Sequence, residues 1–123
     1  MSTIKEFWDL EAWKKAHELA ILIYKLTNTF PKEEIYGLTS QIRRSASSIA
    51  ANIAEGFNRY SFKDKIRFYH IARGSISETQ NHILVAKAIG YTNQEDTKEI
   101  IILASEIRKI LNGLIRITES KIQ

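Results

Sequence analysis

Cysteine is absent from the 123 residues. Disulfides, thiolate nucleophiles and cysteine-ligated metals are therefore excluded. A single proline and five glycines leave long stretches without a breaker, which points to long helices. The longest run without a charged side chain, Ser45 to Ala54, is about half of what a membrane span needs. The opening segment, Met1 to Asp9, has no apolar core of signal-peptide length. A soluble cytoplasmic protein with no membrane partner is the expectation.

Patterns that carry chemistry are also scarce. A di-iron bundle uses Glu-x-x-His pairs, because residues three apart share a helix face; the chain has none. Glu78 and His82 are four apart, a spacing that reads as a surface contact, and His17 and His70 have no ligand-like neighbours. No P-loop or dinucleotide fingerprint occurs. Ser45, Ser47 and Ser48 lack an adjacent histidine in sequence and read as small packing residues rather than nucleophiles. No catalytic residue, metal or cofactor is expected, and the chain does not read as an enzyme.

What is present is apolar periodicity. Hydrophobic residues make up 44% of the chain, the level of a folded globular protein, and the length suits one domain, 1–123. Helix 1 is expected at about 10–29, with the stripe Leu10, Trp13, Ala16, Leu19, Ala20, Ile23, Tyr24 and Leu26. Pro31 ends it, because proline disfavours helical backbone in the residue before it. Helix 2 is expected at about 38–57. Helix 3 follows at 62–89, with Ser61 as N-cap and Gly90 as its left-handed stop. Helix 4 is expected at 93–120, opened by a capping box, Thr92-Asn93-Gln94-Glu95. Its stripe is Ile100, Leu103, Ala104, Ile107, Ile110, Leu111, Leu114 and Ile117. Four amphipathic helices with short links predict an all-α, up-down antiparallel four-helix bundle.

Helix 2 is the most informative segment. Its inner stripe, Leu38, Ile42, Ser45, Ile49, Asn52, Ile53 and Gly56, is set among alanines and serines. Small side chains let a neighbouring backbone approach. Apolar residues outside the stripes of helices 1 and 4, namely Ile21, Leu22, Ile101, Ile102 and Ile115, suggest self-association. So do the mid-helix glycines Gly74 and Gly113, each costing about 1 kcal/mol relative to alanine.

The net charge of +4 is uneven. Between Arg43 and Arg73 seven basic residues face only Glu55 and Asp64, whereas the rest of the chain holds eleven basic and twelve acidic residues. Arg43, Arg44, Arg59, Lys63, Arg67 and Arg73 are the candidate nucleic-acid ligands, for RNA or DNA. Tyr60, Phe62, Phe68 and Tyr69 are interleaved with them and offer stacking surfaces, although Phe62 and Phe68 read better as core.

The run Phe30-Pro31…Glu34…Tyr36-Gly37-Leu38…Gln41-Ile42-Arg43-Arg44…Ser48-Ile49-Ala50-Ala51-Asn52-Ile53-Ala54-Glu55-Gly56 resembles the four helix bundle protein family, also called the S23 or 23S rRNA intervening-sequence protein family. The segment Phe68…Ile71-Ala72-Arg73-Gly74-Ser75…Glu78 and the pair Gly90-Tyr91 extend the match over nearly the whole chain. The resemblance implies an up-down bundle assembled as a ring-shaped homopentamer. It implies a bacterial protein encoded within 23S rRNA gene insertions or standing alone. In a branch that serves retroelements, it implies a reverse transcriptase as partner and nucleic acid held on a basic surface. No catalytic residue is implied. In that frame Asn52 and Glu55 are expected as buried hydrogen-bonding residues at a seam, with Arg73 and Glu78 as partners, and Gly56 and Gly74 permit close crossing. The alternative is a structural or protein-interaction module whose basic residues serve salt bridges.

Overall fold

The computed structural model describes residues 3–122. After a 3-10 turn at Phe7–Asp9, the helices are α1 (Glu11–Thr27), α2 (Leu38–Phe57), α3 (Phe62–Ala88) and α4 (Gln94–Glu119), with a second 3-10 turn at Lys32–Glu34 between α1 and α2. Each helix packs on its sequence neighbours and α4 closes back on α1, while the diagonal pairs α1/α3 and α2/α4 do not approach. Cross-links set the direction: Thr27 meets Arg43, Ser48 meets Ser75, and Arg73 meets Asn112. Along each seam the partner's number falls as the residue's rises, Ser45 with Thr79 and then Ser48 with Ser75, Arg73 with Asn112 and then Gln80 with Ser105, so the bundle is up-down and antiparallel.

The helix ends follow local chemistry. Thr27 Oγ1 bonds back to the Ile23 carbonyl at 2.7 Å, and the Thr29 and Phe30 amides bond three residues back, to Leu26 and Thr27. The last turn thus tightens before Pro31, and α1 stops two residues earlier than expected. Ser61 Oγ accepts the Asp64 amide at 3.1 Å and caps α3. Gly90 has φ +87°, with the Tyr91 amide on the Ala86 carbonyl and the Gly90 amide on the Lys87 carbonyl. This is the double hydrogen bond that closes a helix through a left-handed residue. At α4 the cap is Asn93, whose Oδ1 accepts the Asp96 amide at 2.7 Å. Thr92, the expected cap, has a buried hydroxyl without a partner.

The start of α2 is held from outside the helix. Glu34 Oε1 accepts the Leu38 amide at 3.0 Å, and Oε2 accepts the Tyr91 hydroxyl at 2.8 Å. One carboxylate therefore ties the α1–α2 link to the α3–α4 turn. These bonds, the Leu38 amide first and the Tyr91 hydroxyl second, hold Glu34 below the usual carboxylate range.

The core is built from Leu19, Ile23, Ile42, Ile49, Ile53, Ile76, Ile83, Ile107 and Leu111, all fully buried. Three expected positions differ. Tyr24 and Ile117 are exposed, and Ile115, read as outside the stripe, is only 4% exposed. In α4 the buried row runs Ile107, Leu111, Ile115 in steps of four, so the inward face drifts over 26 residues.

Candidate nucleic-acid interface

The α2–α3 connection forms one corner of the bundle, and it gathers cations around aromatic rings. The guanidiniums of Arg59 and Arg67 each lie 4.5 Å from the Phe68 ring centroid, in cation–π contact. Arg59 also pairs with Glu55 at 3.2 Å, and Arg67 with Asp64 at 3.3 Å. Exposed Lys63 has no carboxylate partner among the described residues. Tyr60 is fully exposed and Phe62 is 39% exposed, so Phe62 belongs to the surface rather than the core. The Lys121 ammonium, from the chain beyond α4, sits 5.9 Å over the Phe62 ring. Lys65 turns inward, donating to the Phe57 carbonyl. Burial, and then the charge of Lys121, lower its pKa.

The other basic candidates lie elsewhere. Arg43 folds onto α1, donating from Nε to Thr27 Oγ1 at 2.8 Å and from Nη2 to Asn28 Oδ1 at 3.2 Å, with its guanidinium 4.8 Å over Tyr24. Arg73 reaches the other way, donating to Asn112 Oδ1 of α4 at 2.9 Å and to His70 Nδ1 at 2.8 Å. The α1–α2 and α3–α4 seams are on opposite sides of the bundle. Arg44 is exposed on α2. It lies thirteen residues before Phe57 and hence about 20 Å along the helix from the corner. Of the six candidates, the structure brings together Arg59, Lys63 and Arg67.

The motif residues have different surroundings from those expected. Asn52 is half-buried and bonds within its own helix, from Nδ2 to the Ser48 carbonyl at 2.8 Å and to Ser48 Oγ at 2.9 Å. Glu55 is exposed and holds Arg59. Neither meets Arg73 or Glu78. Glu78 faces His82, with 3.6 Å between Oε2 and Nε2. Rotation about α2 explains the error, because Asn52 and Glu55 flank the buried row Ile49, Ile53 and Gly56 rather than forming it. Gly56 does pack closely: a Cβ there would lie 2.7 Å from Tyr69 Cε1 and 3.1 Å from the Lys65 carbonyl. A Cβ at Gly74 would meet nothing within 4 Å. Among the described residues no three potential metal ligands converge.

Two features escaped the sequence reading. One is the Glu34–Tyr91 clip; Glu34 lies four residues before the α2 amide it caps, a spacing outside the usual box. The other is a hydroxyl ladder on the α2–α3 seam. Thr79 Oγ1 lies 2.9 Å from Ser45 Oγ, and Ser75 Oγ lies 3.0 Å from Ser48 Oγ. The signal was present, as serines every three residues on α2 facing Ser75 and Thr79 on α3.

By its fold, the chain is an antiparallel four-helix bundle with a basic, aromatic corner. The sequence model of the 23S rRNA-intervening sequence protein family matches residues 8–113, and the chain belongs to that family. Among solved structures, it is similar to a protein of unknown function from the S23 ribosomal protein family of Bacteroides thetaiotaomicron VPI-5482. The TM-score is 0.76 at 29% identity, covering 85% of this chain and 97% of that one. No curated protein sequence matches it.

Proposed function

We propose that this chain is a non-enzymatic, self-assembling bundle that holds nucleic acid at the α2–α3 corner. The observation that carries the reading is the placement of Arg59, Lys63 and Arg67 around exposed Tyr60 and Phe62, with two guanidiniums on Phe68. Cations of this kind contact phosphates without reading sequence, and exposed rings stack on bases. Exposed Ile21 and Ile102, on α1 and α4, supply apolar surface for assembly, and Ile71 and Val85 on α3 supply more. A ring would repeat the corner once per subunit and add weak contacts through multivalency.

A second reading has its own observation. Arg59 and Arg67 already carry carboxylate partners, Glu55 and Asp64, as expected of a structural or protein-interaction module.

Fluorescence anisotropy with single-stranded and duplex RNA and DNA, over a range of salt, separates the two. Nucleic-acid binding should be sequence-tolerant and fall steeply with salt. Replacing Arg59, Lys63 and Arg67 together with Gln should flatten the log–log salt slope by up to about 3. A parent protein that binds none of these at low salt leaves the interaction module. Light scattering at micromolar concentration tests assembly separately, and a one-protomer mass removes it.

A further inference from the structure

We propose that the cleft between the end of α1 and the start of α2 is a binding site for a small organic anion, with Arg43 as its anchor. The cleft encloses about 380 Å³ and is lined by Phe30, Pro31, Lys32, Ile35, Thr39 and Arg43, next to Thr27 and Asn28. That volume lies within the range of small-molecule sites, about 300–1,000 Å³. The lining holds two cations and no carboxylate.

Arg43 is the unusual member. It is half-buried, so part of its hydration is gone. What replaces the water is neutral: the Thr27 hydroxyl, the Asn28 amide oxygen and the Tyr24 ring. Among the described residues no carboxylate stands within ion-pair distance of it. Glu34, close by in sequence, spends both oxygens on Leu38 and Tyr91. Arg59 and Arg67 of the corner each have an acid; Arg43 has none. A guanidinium carries five N–H donors and here engages two. Thr27, Asn28 and Tyr24 thus fix its plane while leaving donors and charge available to an incoming oxyanion, the arrangement that favours charge-assisted, paired hydrogen bonds. Lys32 adds a second positive charge to the lining.

The apolar part of the lining sets the rest of the ligand. Phe30, Pro31 and Ile35 offer apolar surface, and Pro31 makes it rigid. The occupant is therefore an acid with one carboxylate or phosphate head and an apolar body. A bare inorganic ion would leave the apolar wall unused. This inference does not rest on the nucleic-acid reading, since the cleft is on the α1–α2 seam, away from the corner.

Amide and arginine side-chain NMR shifts of ¹⁵N-labelled protein test it, with phenylacetate, phenyl phosphate, inorganic phosphate and neutral benzyl alcohol as probes. Saturable shifts at Thr27, Asn28, Thr39 and the Arg43 side chain are expected with phenylacetate or phenyl phosphate. The stronger of the two identifies the head group. Inorganic phosphate should bind more weakly, and benzyl alcohol should not saturate. Arg43→Gln should weaken binding by about tenfold or more, because a charge-assisted pair is lost. Lys32→Gln, at an exposed position that leaves the fold intact, should weaken it severalfold. Lys109→Gln, exposed on α4, should leave these shifts as in the parent. The proposal is overturned if no probe shifts these residues saturably up to about 10 mM. It is equally overturned if Arg43→Gln and Lys32→Gln both bind like the parent. It also fails if only an oligonucleotide perturbs the cleft, which would assign Arg43 to the polyanion surface.

Discussion

The α2–α3 and α1–α4 seams are built from opposite materials. The first is closed by small residues: Gly56 lies against Tyr69, and Ser45 and Ser48 meet Thr79 and Ser75 through paired hydroxyls. The second is bridged by long charged side chains, with Lys15 and Glu106 paired at 3.0 Å on the surface. Two open grooves of about 300 and 340 Å³ run along it. Leu22 and Glu99 line both, with Lys25 and Asp96 around one and Glu18, Ile102 and Glu106 around the other. Small side chains let two helices interlock, and dispersion contacts fall away steeply with any gap. Long ones cover a seam without closing it. The lesson is that how closely two helices pack is written in the size of the residues between them, more than in their hydrophobicity.

The sharpest way to break the contrast is Gly56→Leu. The added side chain must displace Tyr69 or the Lys65 backbone, and the expected loss is about 3 kcal/mol or more in urea unfolding. The same leucine at Gly74 meets open space in the protomer and should leave its fold intact. An unchanged midpoint for Gly56→Leu would show that the seam can open.

A titration sharpens it next. Burial pushes the Tyr69 phenol up to about 12, from an ordinary value of 10.0. The folded value is raised, so its contribution is complete below pH 10 and is lost as the pH rises towards 12. The two-unit gap corresponds to roughly 2–3 kcal/mol. Denaturation followed from pH 9 to 12 should show this loss, and Tyr69→Phe should remove its share. An alkaline limb identical in both proteins would place the titration elsewhere.

The smallest effects compare the two seams directly. Thr79→Val keeps the volume but removes the hydroxyl that donates to Ser45 Oγ, which keeps its own bond to the Ile42 carbonyl, and about 1 kcal/mol of stability should go with the lost hydrogen bond. Lys15→Ala removes an exposed pair, and the melting temperature should not move. If Lys15→Ala proved as harmful as Thr79→Val, the α1–α4 seam would be tighter than its grooves suggest.

Much of the fold was legible because its signals are local. Ser61 and Gly90 act within their own turns, and the helix count follows from a period that one sequence displays. Errors arose where rotation or distance decides. Arg43 and Arg44 are neighbours in sequence, yet one folds onto α1 and the other faces solvent. Ile115 and Ile117 trade places because the inward face of a long helix drifts. Thr92 and Asn93 are both capping residues, and the neighbouring turn selects Asn93. The basic segment was visible as a charge count, but a count carries no direction, so three of its six candidates converge and the others scatter. The Arg43 cleft was illegible altogether, since its apolar residues lie in a link whose path the sequence does not specify and Arg43 comes from the helix that follows it.

The up-down path has a practical consequence. α1 begins, and α4 ends, at the same end of the bundle as the α2–α3 corner, and Lys121 lies over Phe62 there. An affinity tag or fusion at either terminus would therefore sit beside the surface whose binding is in question. A polyhistidine or acidic tag would add charge within a Debye length, about 8 Å at physiological salt, and either mimic or mask the corner. A label in the turn that carries Gly90, at the far end, would report on the molecule without touching that surface.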